Sequence, residues 1–142
     1  MERFFKRIRN SGASSSKQAN VSEPMENQSH VELNLDDIIS DPGLRKPIEE
    51  FDVSIRDQVR REYLLRGPCQ PIGHMYPQRT IANHQRSFQD VWFKQFEWLE
   101  YSVSKDAAFC FWCYLFKSPH KGGKFGEDVF TKTGFNNWKK RN

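Results

Sequence analysis

Two cysteines, Cys110 and Cys113, form a C-x-x-C pair, the strongest candidate for chemistry in this sequence. Two thiolates at this spacing can bind one metal ion, and a tetrahedral zinc site needs such a pair together with two more ligands. The same spacing occurs in redox dithiols, and cysteines also pack simply as small hydrophobic residues. A redox dithiol is typical of a helix N-terminus that follows a strand of a βαβ unit. No βαβ pattern surrounds this pair, so a redox dithiol ranks third, and the residues alone do not decide between zinc binding and simple packing.

The elements that must position the pair are predicted from the residues around it. Residues 99–104 alternate between apolar and polar side chains, which is typical of a half-buried strand. Glu100 and Ser102 then lie on the polar side of that strand. A short turn and a second apolar run over residues 108–111 follow. We therefore expect an antiparallel β-hairpin near residues 98–112 that ends in a zinc knuckle.

The cysteine pair belongs to a longer series of residues that runs through most of the chain. In chain order, the series is Asp41-Pro42-Gly43-Leu44-Arg45, Arg66-Gly67-Pro68-Cys69-Gln70-Pro71, Trp92-Phe93, Trp98-Leu99-Glu100-Tyr101-Ser102, Asp106-Ala107-Ala108-Phe109-Cys110 and Gly134-Phe135-Asn136-Asn137-Trp138-Lys139. This series resembles the TTF-type zinc-finger domain of hAT transposase-derived proteins and of zinc finger MYM-type 1-like proteins, especially those of plants. The resemblance covers about residues 38–142. It implies a small α+β zinc-finger domain that combines an antiparallel hairpin, a C-x-x-C knuckle and short helices.

The resemblance also implies a function. Domains of this kind bind Zn²⁺ and are expected to bind DNA in the nucleus, without a catalytic role. Their remaining zinc ligands are expected to be histidines on a helix that begins near residues 135–138. The chain is then interpreted as an N-terminal fragment that stops within that helix. Cys69 and His120 are weaker candidates for completing the site locally, and His74 and His84 are further ones, although each is also an ordinary loop residue.

The charges are distributed unevenly, and the net charge of +4 hides this gradient. Residues 1–52 carry 7 basic and 10 acidic side chains, whereas residues 103–142 carry 8 and 3. A basic end is attracted to phosphate, although such an excess predicts only non-specific binding, and solubility explains it nearly as well. The candidate DNA contacts are Lys121, Lys124, Lys132, Lys139, Lys140 and Arg141.

Several function classes are not expected. The sequence has no apolar run near the ~18 residues that span a bilayer, so no membrane partner is predicted. It has no nucleotide-binding, hydrolase or metalloprotease motif. The separate carboxylate-bearing domain of a transposase does not fit after the finger, so we expect no enzyme and no small-molecule substrate. The alternative to a DNA-binding module is a protein–protein interaction module without DNA binding, which is retained from a transposon.

Composition and capping signals predict the elements before the hairpin. Residues 1–37 are expected to be a disordered tail, because residues 11–30 have almost no apolar content. A helix is predicted over residues 54–66, with Ser54 and Asp57 as a capping box and Gly67 at its end. Ile55, Val59 and Tyr63 form its apolar stripe, with Leu65 beside them.

Two further short helices are predicted around the hairpin. One covers about residues 89–96, and another begins near residues 136–140, whereas residues 67–78 are expected to form an extended loop. Aromatic residues at helical and strand spacing should pack together beneath the hairpin. The predicted core consists of Trp92, Phe93, Phe96, Leu99, Tyr101, Phe109 and Phe111, with Trp98 or Trp112 as additional members.

Overall fold

The computed structural model describes residues 30–117 and 128–139. Most of the predicted tail lies outside these residues, but its last part does not. Leu33 packs against the core, and Leu35–Asp37 forms a 3₁₀ turn whose N-cap is Asn34. No helix among the described residues is both long enough and apolar enough to cross a bilayer.

The described residues form a small α+β structure with two antiparallel hairpins and a few short helices. This confirms the predicted α+β class with an antiparallel hairpin and short helices. Each hairpin has two strands, and the longest helix in the described part of the chain has 11 residues. In chain order the elements are α1 (Arg56–Arg66), β1 (Arg79–Ile81), β2 (His84–Arg86), α2 (Val91–Gln95), β3 (Leu99–Ser102), β4 (Ala107–Cys110) and α3 (Phe111–Phe116). A 3₁₀ turn (Ile48–Glu50) precedes α1, and a π-helical turn (Val129–Thr133) follows α3.

The predicted hairpin is present as β3 and β4, with Leu99 opposite Cys110 and Ser102 opposite Ala107. The prediction that one face of this strand meets solvent is wrong, because every residue of β3 is buried, including Glu100 and Ser102. The segment Asp41–Arg45 covers the face that was expected to meet solvent. A Cβ on Gly43 would collide with the Ser102 hydroxyl, so a glycine is required for this close approach.

Main-chain hydrogen bonds extend the hairpin at both edges. The Tyr101 amide donates to the Cys69 carbonyl at 3.0 Å, beside β3. Ala108 and Phe135 exchange two hydrogen bonds, of 2.7 and 2.8 Å, beside β4. Gly134 allows residues 134–135 to lie this close to β4, because a Cβ on residue 134 would lie only 2.6 Å from the Ala107 Cβ. The helix expected near residues 136–140 is not formed in its described part, since residues 136–139 are irregular after the paired Phe135.

Helix α1 carries the predicted apolar stripe, and Ile55, Val59 and Tyr63 are all buried. The predicted capping box is wrong. The Ser54 hydroxyl donates to the Asp52 carboxylate at 2.6 Å, and the N-cap is Ile55, one residue later, so the helix begins at Arg56. Asp52 therefore accepts hydrogen bonds from Ser54 in the turn before the helix, and Ser54 does not cap the helix. The helix ends as predicted at Gly67, which adopts a positive φ of 75°.

Two hydrophobic clusters flank the hairpin. The first joins α1 to Phe111 and Leu115 of α3, and the second gathers Phe88, Phe93 and Trp138 around β3. Of the predicted core, the buried members are Phe93, Leu99, Tyr101, Phe109 and Phe111, whereas Trp92 and Trp98 are half-buried and Trp112 is about half exposed.

The prediction that Phe96 is buried is wrong, because its side chain is 43% exposed. Helix α2 has only five residues, and Phe96 follows it in an extended conformation. Its side chain therefore leaves the helical stripe that would have directed it inward.

The hairpin of β1 and β2 was not predicted. Its two-residue turn places Ala82 and Asn83 at positive φ of 47° and 62°, as a type I′ turn requires. Asn83 was the available signal, but alanine precedes it where the usual residues are asparagine, aspartate or glycine. Each strand has only three residues, so no alternation of apolar side chains is visible.

Replacing Phe109 with alanine should lower the free energy of unfolding by about 3–5 kcal/mol, because its ring is almost wholly buried. Urea denaturation followed by tryptophan fluorescence measures this loss. Phe96→Ala is the matched control and should cost less than about 1 kcal/mol, since the ring is partly exposed. Equal losses in the two variants would contradict the assignment of Phe109 to the core.

Candidate metal centre

The two cysteines of the C-x-x-C pair lie at the junction between β4 and α3. Cys110 ends the strand and is the N-cap of the helix, and Cys113 lies in the first helical turn. The return strand was predicted to include Phe111, which instead begins α3. The Cys113 amide donates a hydrogen bond to the Cys110 sulfur at 3.3 Å. The chain thus turns around the first sulfur as soon as the strand ends.

The electrostatic setting of Cys110 is that of an unreactive thiol. Burial, together with a hydrogen bond to the Cys113 side chain, raises its pKa to about 11, although main-chain amides act in the opposite direction. A redox-active dithiol needs a lowered pKa, so this environment does not favour that alternative. A metal ion favours the thiolate by displacing the proton. The amide that donates to the sulfur also stabilises the thiolate, which is the form that binds a metal.

The pair supplies two of the four ligands that a structural zinc site uses. Within residues 30–117 and 128–139, no group of three or more Cys, His, Asp or Glu side chains is placed to hold a metal ion. The sulfur chemistry of Cys110 and Cys113 fits zinc, and the described residues do not complete the site. His120, one of the local candidates, lies outside the described residues.

Cys69, the other local candidate, contacts the hairpin mainly through hydrogen bonds of its backbone. Its amide donates to the Glu100 carboxylate at 3.1 Å, and its carbonyl accepts from Tyr101. Burial and the negative charges of Glu100 and Asp41 raise the pKa of its thiol to about 11. These surroundings oppose the thiolate form. His74 packs edge-on against the Tyr76 ring at 5.2 Å between centroids.

A buried ion pair holds the surrounding segments together. The Arg45 guanidinium binds both carboxylate oxygens of Glu100, one of them at 3.0 Å, and the two side chains are 3% and 1% exposed. The guanidinium also lies over the Tyr114 ring, 3.8 Å from its centroid. Tyr114 follows Cys113 in α3, so the pair connects β3 to the helix that carries the second cysteine. Alternation along β3 assigned Glu100 to solvent, and no local signal indicated its partner 55 residues away.

The predicted DNA-contacting residues are only partly described. Lys132 lies in the π-helical turn and pairs with Asp128 at 3.5 Å. It lines a hollow of about 250 Å³ together with Cys113 and Lys105. Lys139 instead borders a groove of about 780 Å³ lined mainly by aromatic side chains. Lys121, Lys124, Lys140 and Arg141 lie outside the described residues.

Comparisons of this chain with protein-family models, with curated proteins and with solved structures found no match.

Alkylation of Cys110 by iodoacetamide should be slow at neutral pH and should accelerate about tenfold per pH unit up to its pKa of about 11. At pH 8 the thiolate fraction should be about 100-fold below that of a thiol with the ordinary pKa of 9.0. Peptide mass spectrometry gives the rate, with the urea-unfolded chain as reference. A plateau at or below pH 7 would instead identify an activated dithiol.

The raised pKa of Cys110 also makes the stability of the folded chain fall at high pH. The folded chain holds the Cys110 thiol neutral beyond the pH at which the unfolded chain ionises it. This contribution to stability is therefore complete below about pH 9 and is lost as the pH rises through about 11.

Replacing Glu100 with glutamine should cost about 3–5 kcal/mol, because it leaves the Arg45 charge buried without its counterion. Glu62→Gln is the matched control. It breaks a partly exposed pair with Arg66 and should cost less than about 1 kcal/mol. Thermal and urea denaturation measure both losses. A Glu100→Gln variant as stable as the control would show that the pair is dispensable.

Proposed function

We propose that this chain is a zinc-dependent DNA-binding module without a catalytic role, that it derives from an hAT-type transposase, and that it works in the nucleus. The observation that carries the proposal is the cysteine pair at the strand–helix junction, where the Cys113 amide donates to the Cys110 sulfur. Paired thiols at such a turn suit a structural metal better than a redox reaction, because burial keeps the pKa of Cys110 high.

Cys110 and Cys113 would hold the zinc ion, which would link the end of β4 to the first turn of α3. Its role would be structural. The other two ligands are the histidines that the resemblance implies after residues 135–138, or Cys69 and His120 within this chain. The downstream histidines are the better choice, since the Cys69 thiol is surrounded by negative charge.

The mutual placement of the residues that carry the resemblance supports the family assignment. Residues from three separate stretches all bind the same hairpin. Asp41 accepts a hydrogen bond from the Ser104 amide, Arg45 pairs with Glu100, the Cys69 carbonyl accepts from Tyr101, and Phe135 pairs with Ala108. Residues that are far apart in the sequence thus share one structural role, as is expected of the signature of a single domain.

The hollow next to Cys113 supports the choice of DNA as the partner. Lys105, Lys117 and Lys132 line it, against the two carboxylates of Glu49 and Asp128. Arg45 also reaches it, but its charge is balanced by Glu100. All three lysines belong to the basic end of the chain, and cationic side chains attract a phosphate backbone.

Exposed apolar side chains favour the second candidate, a protein-interaction module. Leu65, Ile72 and Met75 are each more than four-fifths exposed. Exposed apolar side chains mark a protein-binding site where they form one contiguous patch, whereas single exposed residues are common on any protein.

Binding of a labelled duplex should weaken steeply with salt, with a slope of log K against log salt of about −0.9 for each phosphate contacted. Fluorescence anisotropy at several salt concentrations gives this slope. Lys132→Gln should remove about one phosphate contact and therefore make the slope shallower by about 0.9. Cys110→Ser and Cys113→Ser should weaken both zinc and DNA binding, whereas the matched variant Cys69→Ser should leave both intact.

Zinc binding should also release protons and weaken as the pH falls, because the Cys110 thiol must lose its proton. Calorimetry in buffers of different ionisation enthalpy counts the protons released.

A flat salt dependence of DNA binding, or no DNA binding, would favour the protein-interaction module. Loss of zinc binding in Cys69→Ser would place the site within this chain.

A further inference from the structure

A wide groove beside the β3–β4 hairpin is walled mainly by aromatic rings. Seven of its twelve lining residues are aromatic and two more are aliphatic, so its surface is mostly apolar. The Trp98 ring packs on Phe96 at 5.4 Å between centroids and on Phe130 at 6.1 Å. Phe130 in turn stacks on Phe135, with ring planes 19° apart. We call this surface the aromatic groove, and its aromatic members are Phe88, Trp92, Phe96, Trp98, Phe130, Phe135 and Trp138.

The rings of the aromatic groove remain partly open to solvent. Phe96 is 43% exposed, and Trp92, Trp98, Phe130 and Phe135 are half-buried. The groove has a volume of about 780 Å³, within the range of roughly 300–1,000 Å³ that is typical of small-molecule sites. Such sites are mostly apolar and carry a few polar groups that orient the ligand. The size and the lining therefore suit a compact ligand with a flat ring.

The polar side chains of the groove carry a charge of one sign. Gln95, Asn137 and Lys139 line it, and no carboxylate of a described residue does. None of the ion pairs formed between described residues includes Lys139. The exposed ammonium group of Lys139 therefore favours an anionic group on the ligand and disfavours a cationic one.

Trp138 adds a hydrogen-bond donor to the lining of the groove. Its side chain is 3% exposed, and its buried indole N–H has no acceptor among the described residues. The ring is held edge-on by Phe88 at 5.5 Å and by Phe135 at 5.9 Å between centroids. A donor removed from water without an acceptor costs free energy, which a ligand oxygen brought to this N–H would recover.

We infer that the aromatic groove binds a small planar aromatic carboxylic acid. The ring of the ligand stacks against Trp98 and Phe96, where the aromatic faces are open. Its carboxylate pairs with Lys139 and accepts from the indole of Trp138, the residue before it. A carboxylate suits both partners because it carries negative charge and has two acceptor oxygens. The inference goes beyond the proposed function, since it depends on neither zinc nor DNA binding.

The test titrates the full 142-residue chain with 2-naphthoate and with its neutral analogue 2-naphthamide, followed by calorimetry. One molecule of 2-naphthoate should bind per chain, and more tightly than 2-naphthamide. Lys139→Gln should weaken 2-naphthoate binding by about two- to fivefold, the usual effect of losing an exposed ion pair, and should leave 2-naphthamide binding unchanged. Lys94→Gln is the matched control, because it removes an exposed lysine outside the groove and should change neither affinity.

Phe96→Ala should weaken the binding of both ligands by about 2- to 12-fold, because it removes one wall of the groove. Its ring is partly exposed, so the variant should fold. Phe116→Ala is the matched control. It removes a ring that is 57% exposed and lies outside the groove, and it should leave both affinities unchanged.

Nuclear magnetic resonance of the four indole N–H groups locates the ligand. The Trp138 signal should move downfield when 2-naphthoate binds, because its N–H gains an acceptor. The Trp112 signal, identified with Trp112→Phe, should stay in place, since this ring lies outside the groove.

The inference is overturned if 2-naphthoate does not bind at millimolar concentration, if 2-naphthamide binds equally well, or if Lys139→Gln changes nothing. It is also overturned if the Trp112 signal moves as far as that of Trp138. A dimer on gel filtration that Phe96→Ala converts into monomers would identify a second copy of the chain as the occupant instead. Zinc and duplex binding are measured without these ligands, so each of these failures leaves the proposed function standing.

Discussion

The ion pair between Arg45 and Glu100 is the interaction around which the described structure is arranged. Burying two charges is costly unless each is paired and hydrogen-bonded. Here the carboxylate accepts from the guanidinium and from the Cys69 amide, and the guanidinium lies over the Tyr114 ring. The pair can persist only if β3, the segment before α1, the Cys69 turn and α3 are all in place. It therefore makes the assembly of these four segments cooperative.

A second polar network joins the two hairpins. Asp106 occupies the turn between β3 and β4 at a positive φ of 48°. Its carboxylate accepts from the Tyr101 hydroxyl and from the Arg79 side chain of β1. The Tyr101 ring also packs edge-on against Tyr76, 4.9 Å between centroids. Glu100 and Tyr101 lie on opposite faces of β3, so the ion pair and this network cover the strand from both faces without a large sheet.

These contacts give the cysteine pair a support that does not depend on a metal. The Tyr114 hydroxyl donates to the Lys46 carbonyl at 2.7 Å, and Leu115 is buried beneath α3. The first turn of α3 is thus fixed by aromatic packing and hydrogen bonds from three other segments. A zinc ion bound to Cys110 and Cys113 would join elements that are already in position. In the proposed module, the metal would then add local rigidity at the junction of β4 and α3.

Local patterns in the sequence were sufficient for the hairpin, for α1 with its glycine end, and for the neighbouring positions of Cys110 and Cys113. Each depends on residues within one element, where periodicity and turn chemistry act directly. Tertiary structure alone decided that Glu100 is buried, that Phe96 is exposed and that Cys69 lies among negative charges. Glu100 illustrates the reason, because its partner lies 55 residues away and nothing in β3 itself specifies it. Alternation predicts which side chains share a face of a strand, but only the segments that pack on that face determine whether it meets water.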